Sequence, residues 1–224
     1  MKSFAKSLMA YYENLNPPEN LPGDVVVMNP YQNRETFTVA SQFYHKYYDD
    51  PEERTICFGI NPGRFGAGVT GVPFTDPIRL EEACGINNSF DKKAELSSRF
   101  IYDMIQAYGG PKKFYSKFYI SAVSPLGYIR NGINLNYYDI KDFKELFENY
   151  AVAEIKKQMP LGISRNVAFS IGKGQNIKYL HWLNERHQLF DRIIPLSHPR
   201  WVMQYRLKRK DEFISEYLTA FHSI

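Results

Sequence analysis

The glycine-rich segment at residues 59–74, GINPGRFGAGVTGVPF, most constrains what this chain can fold into. It follows an apolar run at residues 55–58 that is typical of a buried strand. Five glycines and two prolines in the segment exclude a regular helix or strand and indicate a shaped loop. Loops at the carboxyl ends of parallel strands carry the ligand sites of α/β proteins, and a merely connecting loop is usually shorter. We therefore expect a functional site here.

Two well-known glycine-loop motifs do not fit this segment. It lacks the Gly-x-x-x-x-Gly-Lys-Ser/Thr of a P-loop, and it does not open a helix through Gly-x-Gly-x-x-Gly. What remains is a strand, then Asn61 held in extended geometry by Pro62, then a glycine loop that ends at Phe74. An amide held in this way is placed to orient a water or a ligand rather than to cap a helix.

Strand and helix patterns alternate along the chain. Apolar runs predict strands near residues 54–60, 117–123, 166–171 and 192–196. Helical spacing predicts helices that begin near residue 4, after Asn33, and near residues 97, 141, 176 and 210. Residues 16–30, which contain four prolines, are expected to form a loop. This order predicts βαβ units and a mainly parallel sheet with helices on both faces.

Composition limits the class of protein. The 224 residues, 44% of them hydrophobic, suit a single domain over residues 1–224, and we expect a monomer. No apolar run approaches the eighteen residues of a membrane span, and the N-terminus lacks the apolar core of a signal peptide. Two cysteines, Cys57 and Cys84, are too few for a disulfide framework or a four-cysteine cluster. These features predict a cytoplasmic protein with no metal, no cofactor and no membrane partner.

Basic residues are concentrated near the C-terminus, although the net charge is only +4. Residues 192–210 contain no carboxylate. The basic residues of this segment are Arg192, Arg200, Arg206, Lys208, Arg209 and Lys210. They could form an ordinary solvated face, but their position around His198 favours a surface that contacts phosphates.

Segment 59–74 resembles motif 1 of the uracil-DNA glycosylase superfamily, above all in its single-strand-selective monofunctional branch. That branch carries Gly-Met-Asn-Pro-Gly-Pro-Phe-Gly, followed closely by Thr-Gly-Val-Pro-Phe. Residues 196–200 (LSHPR) resemble motif 2, His-Pro-Ser-Pro, and residues 97–135 also run parallel to the branch, with SPL at 124–126 and NL at 134–135. The resemblance covers roughly residues 54–205. It implies a three-layer α/β/α fold with a short central, mainly parallel four-stranded sheet.

The resemblance also implies an activity and roles for particular residues. Its members flip a damaged base out of DNA and hydrolyse the bond from base to deoxyribose, so the expected partner is DNA that contains a deaminated base. Asn61 matches the residue that orients the attacking water, and His198 matches the donor to the departing base. Gly63 would let backbone approach the base edge, Phe74 would stack on the base, and Ile60 would lie beside them.

The predicted base pocket departs from the branch at one position. Uracil recognition in the branch uses an asparagine that aligns with Ala122, which Ser121 and Ser124 flank. An amide presents a donor and an acceptor together, whereas a serine hydroxyl discriminates less. The resemblance therefore implies a looser pocket, in which these serines assist and which accepts xanthine or hypoxanthine besides uracil.

The motif 2 loop departs as well, because Pro199 is followed by RWVM rather than by Ser-Pro-Arg-Asn. Arg200, Trp201 or Met203 is expected to fill the gap that an extruded base leaves in DNA. Packing of Trp201 against the last helix is the alternative. The other predicted DNA contacts are Arg64, Pro199, Arg206 and Lys208.

Two other functions stay open on the sequence. One is a catalytically weak nucleic-acid-binding module of the same fold, which the alanine at position 122 favours. The other is a nucleoside or nucleotide hydrolase. A pocket with Asn61 and His198 facing inward and a basic rim favours the glycosylase. A blocked pocket favours the binding module, and a closed pocket without a basic rim favours the hydrolase.

Overall fold

The computed structural model describes residues 3–224, which form seven strands and ten α-helices. The strands are β1 (Val26–Met28), β2 (Arg54–Gly59), β3 (Phe118–Ala122), β4 (Gly127–Arg130), β5 (Ile133–Leu135), β6 (Ile163–Ile171) and β7 (Arg192–Leu196). The helices are α1 (Phe4–Glu13), α2 (Arg34–Tyr48), α3 (Ala67–Thr70), α4 (Pro77–Glu82), α5 (Leu96–Tyr108), α6 (Pro111–Tyr115), α7 (Phe143–Gln158), α8 (Gln175–His187), α9 (Pro199–Tyr205) and α10 (Lys210–His222).

The central sheet has the strand order β3-β2-β6-β7, and all its neighbouring strands are parallel. Gly59 at the end of β2 pairs with Ala122 at the end of β3, and Ile171 pairs with Leu196 at the end of β7. The carboxyl ends of the strands therefore lie along one edge, where the chain continues into both sequence motifs. The predicted parallel four-stranded sheet is confirmed.

Aromatic side chains attach helices to both faces of this sheet. Successive residues of a strand point to opposite faces. On one face, the Tyr12 hydroxyl of α1 lies 2.7 Å from the Tyr119 hydroxyl of β3. On the other, the Phe221 ring of α10 packs 4.4 Å from the Phe118 ring and 5.0 Å from the Phe169 ring, between centroids. The result is the expected three-layer α/β/α arrangement.

Helix ends follow the sequence signals with one exception. Asn33 caps α2 by accepting hydrogen bonds from two first-turn amides, and Gly109, at φ 117°, ends α5 in the left-handed region. The helix predicted to begin near residue 97 is α5, and its N-cap is Glu95 rather than one of the serines at positions 97 and 98 that favour such a position. The Ser98 hydroxyl instead accepts a hydrogen bond from the Asp76 amide, 3.0 Å away, and so ties α5 to the start of α4.

A second sheet, absent from the sequence prediction, lies beside the motif 1 loop. Strands β1, β4 and β5 form it in the order β1-β4-β5, and both pairings are antiparallel. The prediction of a loop over residues 16–30 is wrong for β1, whose three residues are too few for a period-2 pattern to stand out. This sheet brings Leu135 and Tyr137 next to Asn61.

Two short helices occupy segments that were predicted to be irregular. Helix α3 lies inside the glycine loop and ends at Gly71, whose φ of 69° is left-handed. The sequence patterns predict no helix at residues 199–205, where the proline suggests irregular structure, but Pro199 is the first residue of α9. Proline suits this position because the first helical N–H needs no intrahelical partner. His198 is therefore the N-cap of a helix.

No helix within residues 3–224 has the length and apolar character that a bilayer crossing requires. Cys57 and Cys84 are both buried and free. The single-domain organisation, the monomeric state and the cytoplasmic location remain predictions.

Candidate active site

The carboxyl ends of the parallel strands open into a cavity of about 350 Å³, a volume within the usual range of ligand sites. Asn61, Phe74 and His198, which lie far apart in sequence, all line it. So do four other residues proposed from the sequence: Ile60, Gly63, Ser121 and Ala122. The sequence reasoning did not assign a role to several further lining residues, among them Glu95, Ser97, Asn134, Asn136 and Tyr138.

Asn61 is held by three hydrogen bonds to backbone. Its Nδ2 donates to the carbonyl oxygens of Leu135, at 3.1 Å, and Pro62, at 3.3 Å. Its Oδ1 accepts from the Tyr137 amide at 3.0 Å. The amide is thereby fixed in orientation, and Oδ1 keeps a second lone pair because a carbonyl oxygen has two. That lone pair can accept one more hydrogen bond, for example from a water in the cavity.

His198 is a neutral imidazole with one ring nitrogen already engaged. Its Nδ1 accepts a hydrogen bond from the Arg200 amide at 3.2 Å, which caps α9. Burial and, to a smaller extent, the positive charge of Arg200 lower the pKa of His198 to about 4. The remaining nitrogen, Nε2, therefore carries the proton at neutral pH and is the donor that the ring can offer to a ligand.

Phe74 forms one wall of the cavity. Its own backbone conformation is unusual, and its ring packs against Gly59. Its φ is 52°, which non-glycine residues rarely adopt. Its ring lies only 3.0 Å from where a Cβ of residue 59 would be, so Gly59 allows this close approach. The ring centroid lies 6.3 Å from that of His198, at an interplanar angle of 61°. The two rings thus form adjacent walls of one pocket.

Both serine hydroxyls at the end of β3 form hydrogen bonds within the protein. Ala122 lines the cavity, but the Ser121 hydroxyl donates to Gln158 of α7, 2.7 Å away, because successive residues of a strand point to opposite faces. Ser124 does not line the cavity, and its hydroxyl is bonded to the Tyr128 hydroxyl at 2.7 Å. Ser121 lines the cavity and its role in recognition remains a prediction, whereas Ser124 lies outside the cavity lining.

Glu95 is a lining residue that the sequence reasoning missed. The Oε1 atom of Glu95 lies 3.8 Å from the position that a Cβ at Gly63 would take. The Glu95 carboxyl packs directly over Gly66. Burial, together with the nearby charge of Asp76, raises the pKa of its carboxyl to about 7, although Arg200 opposes the rise. Nothing local signals this role, because an acidic residue in a polar loop is usually solvated.

The motif 2 helix exposes only part of the predicted DNA wedge. Trp201 is 41% exposed, with its ring edge-on to Phe213 and the Arg206 guanidinium 5.0 Å from its centroid. Trp201 therefore both packs on α10 and presents a surface. Pro199 and Met203 are buried, so the expectation that they contact DNA is wrong. They lie on the side of α9 that packs against α5.

Part of the basic segment is neutralised by carboxylates within the protein. Arg209 pairs with Glu212 at 2.7 Å, and Lys210 pairs with Asp103 at 2.7 Å. Among the described residues that follow His198 in this segment, Arg200, Arg206 and Lys208 are exposed and form no such ion pair, and Arg200 also lines the cavity. These are the cations available to phosphates.

Arg64 lies on the glycine loop at the other side of the cavity and is exposed. Its guanidinium donates to the Gly132 carbonyl and stands 4.8 Å from the centroid of the Phe65 ring. Its backbone amide donates to Asn134 Oδ1 at 3.4 Å. Cations thus flank the cavity on both sides.

Comparison with known proteins identifies the family. The family model of the Uracil DNA glycosylase superfamily matches residues 45–222, and this chain belongs to that superfamily. Among solved structures, the chain is similar to wild-type SMUG2 from Pedobacter heparinus, with a TM-score of 0.96 and 41% sequence identity. The match covers 100% of this chain and 98% of that chain. No curated protein matches. The resemblance to the single-strand-selective branch is confirmed, and so is the fold it implied.

Proposed function

We propose that this protein is a monofunctional DNA glycosylase that excises uracil and other deaminated bases, such as xanthine or hypoxanthine, in base excision repair. One observation carries the proposal. Asn61, Phe74 and His198 converge on a single open cavity, in a chain of the Uracil DNA glycosylase superfamily. The cations around this cavity suit a DNA strand whose flipped base enters it.

His198 stabilises the departing base. When the bond to deoxyribose breaks, the base leaves with negative charge on its carbonyl oxygens, and the Nε2–H of His198 donates to one of them. Because the pKa of His198 is lowered to about 4, the ring acts as a neutral donor and not as an acid at neutral pH. A preorganised donor of this kind is worth about 3 kcal/mol, roughly a hundredfold in rate.

Asn61 positions the water that attacks the sugar. Its spare Oδ1 lone pair accepts a hydrogen bond from that water, and its three backbone contacts keep the acceptor in place. An amide cannot take up a proton, so it gives orientation without general-base assistance. We expect slow turnover if the chemical step limits the rate.

The cavity walls favour a broad choice of base. Phe74 offers a face on which any flipped base can stack, a contact worth about 1–3 kcal/mol. Ala122 stands where the branch has its reading amide, and the neighbouring serine hydroxyls are engaged elsewhere. A wall without an amide excludes fewer bases, which supports activity beyond uracil.

The open cavity also bears on the two alternative functions. A binding module was expected to have a blocked pocket, and a nucleotide hydrolase was expected to have a closed one without basic residues. Here Asn61 and His198 both line a cavity that also includes Arg200. This arrangement favours the glycosylase.

The experiment is an excision assay on single- and double-stranded oligonucleotides that contain one uracil, xanthine or hypoxanthine. Alkali then cleaves the strand at any abasic site. We expect cleavage at the damaged position for uracil and for at least one of the two purines, and none for an undamaged control. Specific DNA binding without abasic sites on any substrate would instead favour the binding module.

A further inference from the structure

Glu95 is the one carboxyl side chain that lines the cavity in the part of the chain that the structure describes, and the proposed mechanism does not use it. It is the N-cap residue of α5, yet its carboxyl makes no capping hydrogen bond to that helix. Its backbone amide is fixed instead, because it donates to Asp76 Oδ2 at 2.8 Å. The carboxyl turns toward the cavity, and within residues 3–224 no hydrogen bond or ion pair is formed to it.

The placement of the carboxyl follows from the glycine loop. It packs over Gly66, where any Cβ would clash with Oε2, and beside Gly63, where backbone approaches the base site. Polar groups in partly buried sites normally have partners. The carboxyl of Glu95 has none among the described residues, so it is available to form hydrogen bonds with a ligand in the cavity. Ala122, which also lines the cavity, has no polar side chain to offer.

We propose that Glu95 contacts the edge of the flipped base and supplies the paired donor and acceptor that Ala122 cannot supply. This inference rests on the proposed glycosylase function. A protonated carboxyl has an O–H donor beside a carbonyl acceptor, in the same arrangement as a side-chain amide. It can donate to a base carbonyl oxygen and accept from a neighbouring ring N–H, a pattern that uracil, xanthine and hypoxanthine all present.

The surroundings of Glu95 determine which protonation state meets the base. Titratable and charged side chains around it include Asp76 at the N-cap of α4, His198 and Arg200 at α9, Tyr138 in the cavity lining, and Lys93 and Arg64, which both contact the Phe65 ring. Burial and Asp76 raise the pKa of Glu95 to about 7, whereas Arg200 lowers it. DNA phosphates bound at the cations would add negative potential and favour the protonated form further.

The rate of excision should depend on the pH through the protonation of Glu95. Below a pH of about 7 the carboxyl of Glu95 is protonated and reads the base, and above it the carboxylate loses the donor. Excision of uracil by the wild type should therefore slow as the pH rises from about 6 to about 8.5. Glu95→Gln keeps shape, donor and acceptor at every pH, so its rate should stay flat over this range.

The test measures single-turnover excision of uracil by four proteins across this pH range. They are the wild type, Glu95→Gln, Glu95→Ala and the control Glu82→Gln, which changes an exposed carboxylate on α4. We expect Glu95→Ala to be slower than the wild type by about tenfold or more near pH 6. The control should follow the wild-type profile.

The outcomes separate this inference from the proposed function. A Glu95→Gln profile that falls with pH like the wild type, or a folded Glu95→Ala with the wild-type rate, would overturn the role of Glu95 while the glycosylase stands. A wild type that excises no base at any pH would overturn the proposed function and with it this inference. Glu95→Gln is isosteric, so the test does not depend on Glu95→Ala folding.

Discussion

His198 combines two roles that a pair of substitutions should separate. Its Nδ1 caps α9, and its Nε2–H is the proposed donor to the departing base. His198→Ala removes both roles. His198→Asn keeps a good N-cap, since the asparagine Oδ1 can accept from the first-turn amides, but its shorter side chain withdraws the donor from the base.

The loss of each role should have a different measurable effect. Loss of the donor should lower the rate of the chemical step by about a hundredfold in both variants. Loss of the cap should cost about 1 kcal/mol of unfolding free energy in His198→Ala only. The affinity for DNA should change little, because the donor acts mostly in the transition state.

The protonation of His198 adds a third signature. Its pKa is lowered to about 4 in the folded state, so the neutral ring favours folding above the ordinary value near 6.5. This contribution is complete above about pH 6.5 and is lost as the pH falls through 4. Between about pH 6.5 and pH 4.5 the wild type should lose roughly 2–3 kcal/mol more unfolding free energy than His198→Asn.

The assays are urea unfolding at about pH 7 and pH 4.5, and single-turnover excision of uracil at saturating protein near pH 7. A His198→Asn variant that excises at the wild-type rate would refute the donor role. An identical pH dependence of unfolding in wild type and variant would refute the buried neutral ring.

Three further changes test other parts of the site. Asn61→Ala should lower the single-turnover rate about tenfold to a thousandfold. The variant should remain folded, with an unfolding free energy lower by about 1–3 kcal/mol in urea. A fully active variant would show that Asn61 is purely structural. Ala122→Asn should raise the ratio of uracil to xanthine excision by about 1–3 kcal/mol, and an unchanged ratio would place recognition elsewhere. Arg206→Ala with Lys208→Ala should lower the salt slope of DNA binding by about two, whereas the ion-paired control Arg209→Ala should lower it less; equal slopes would contradict a phosphate contact.

Much of the fold could be predicted because its signals are local. The strand at residues 192–196 has the predicted bounds, and Asn33 and Gly109 end helices through short-range chemistry. The antiparallel sheet could not be predicted in this way, since three-residue strands carry almost no periodicity and pair across distant segments. The helix at Pro199 was missed because proline was interpreted as excluding regular structure, although it suits a first helical turn.

The site residues that could be predicted are likewise those with a local sequence signal. Asn61, Phe74 and His198 could be proposed because each stands in a distinctive motif, and the structure brings them to one cavity. The partner of the Ser121 hydroxyl, Gln158, could not be predicted because it lies on a distant helix. Glu95 reaches the cavity only through the packing of α5 against the glycine loop, which is a tertiary contact without a local signal.

The most direct test of the central claim follows both products of a single reaction. The wild-type protein is incubated with an oligonucleotide that carries one labelled uracil, and free uracil and strand integrity are measured before and after alkali. We predict release of free uracil in equal amount to abasic sites, from a strand that stays intact until alkali is added. A strand cut before alkali, or intact DNA with no free base from uracil, xanthine or hypoxanthine, would contradict a monofunctional glycosylase.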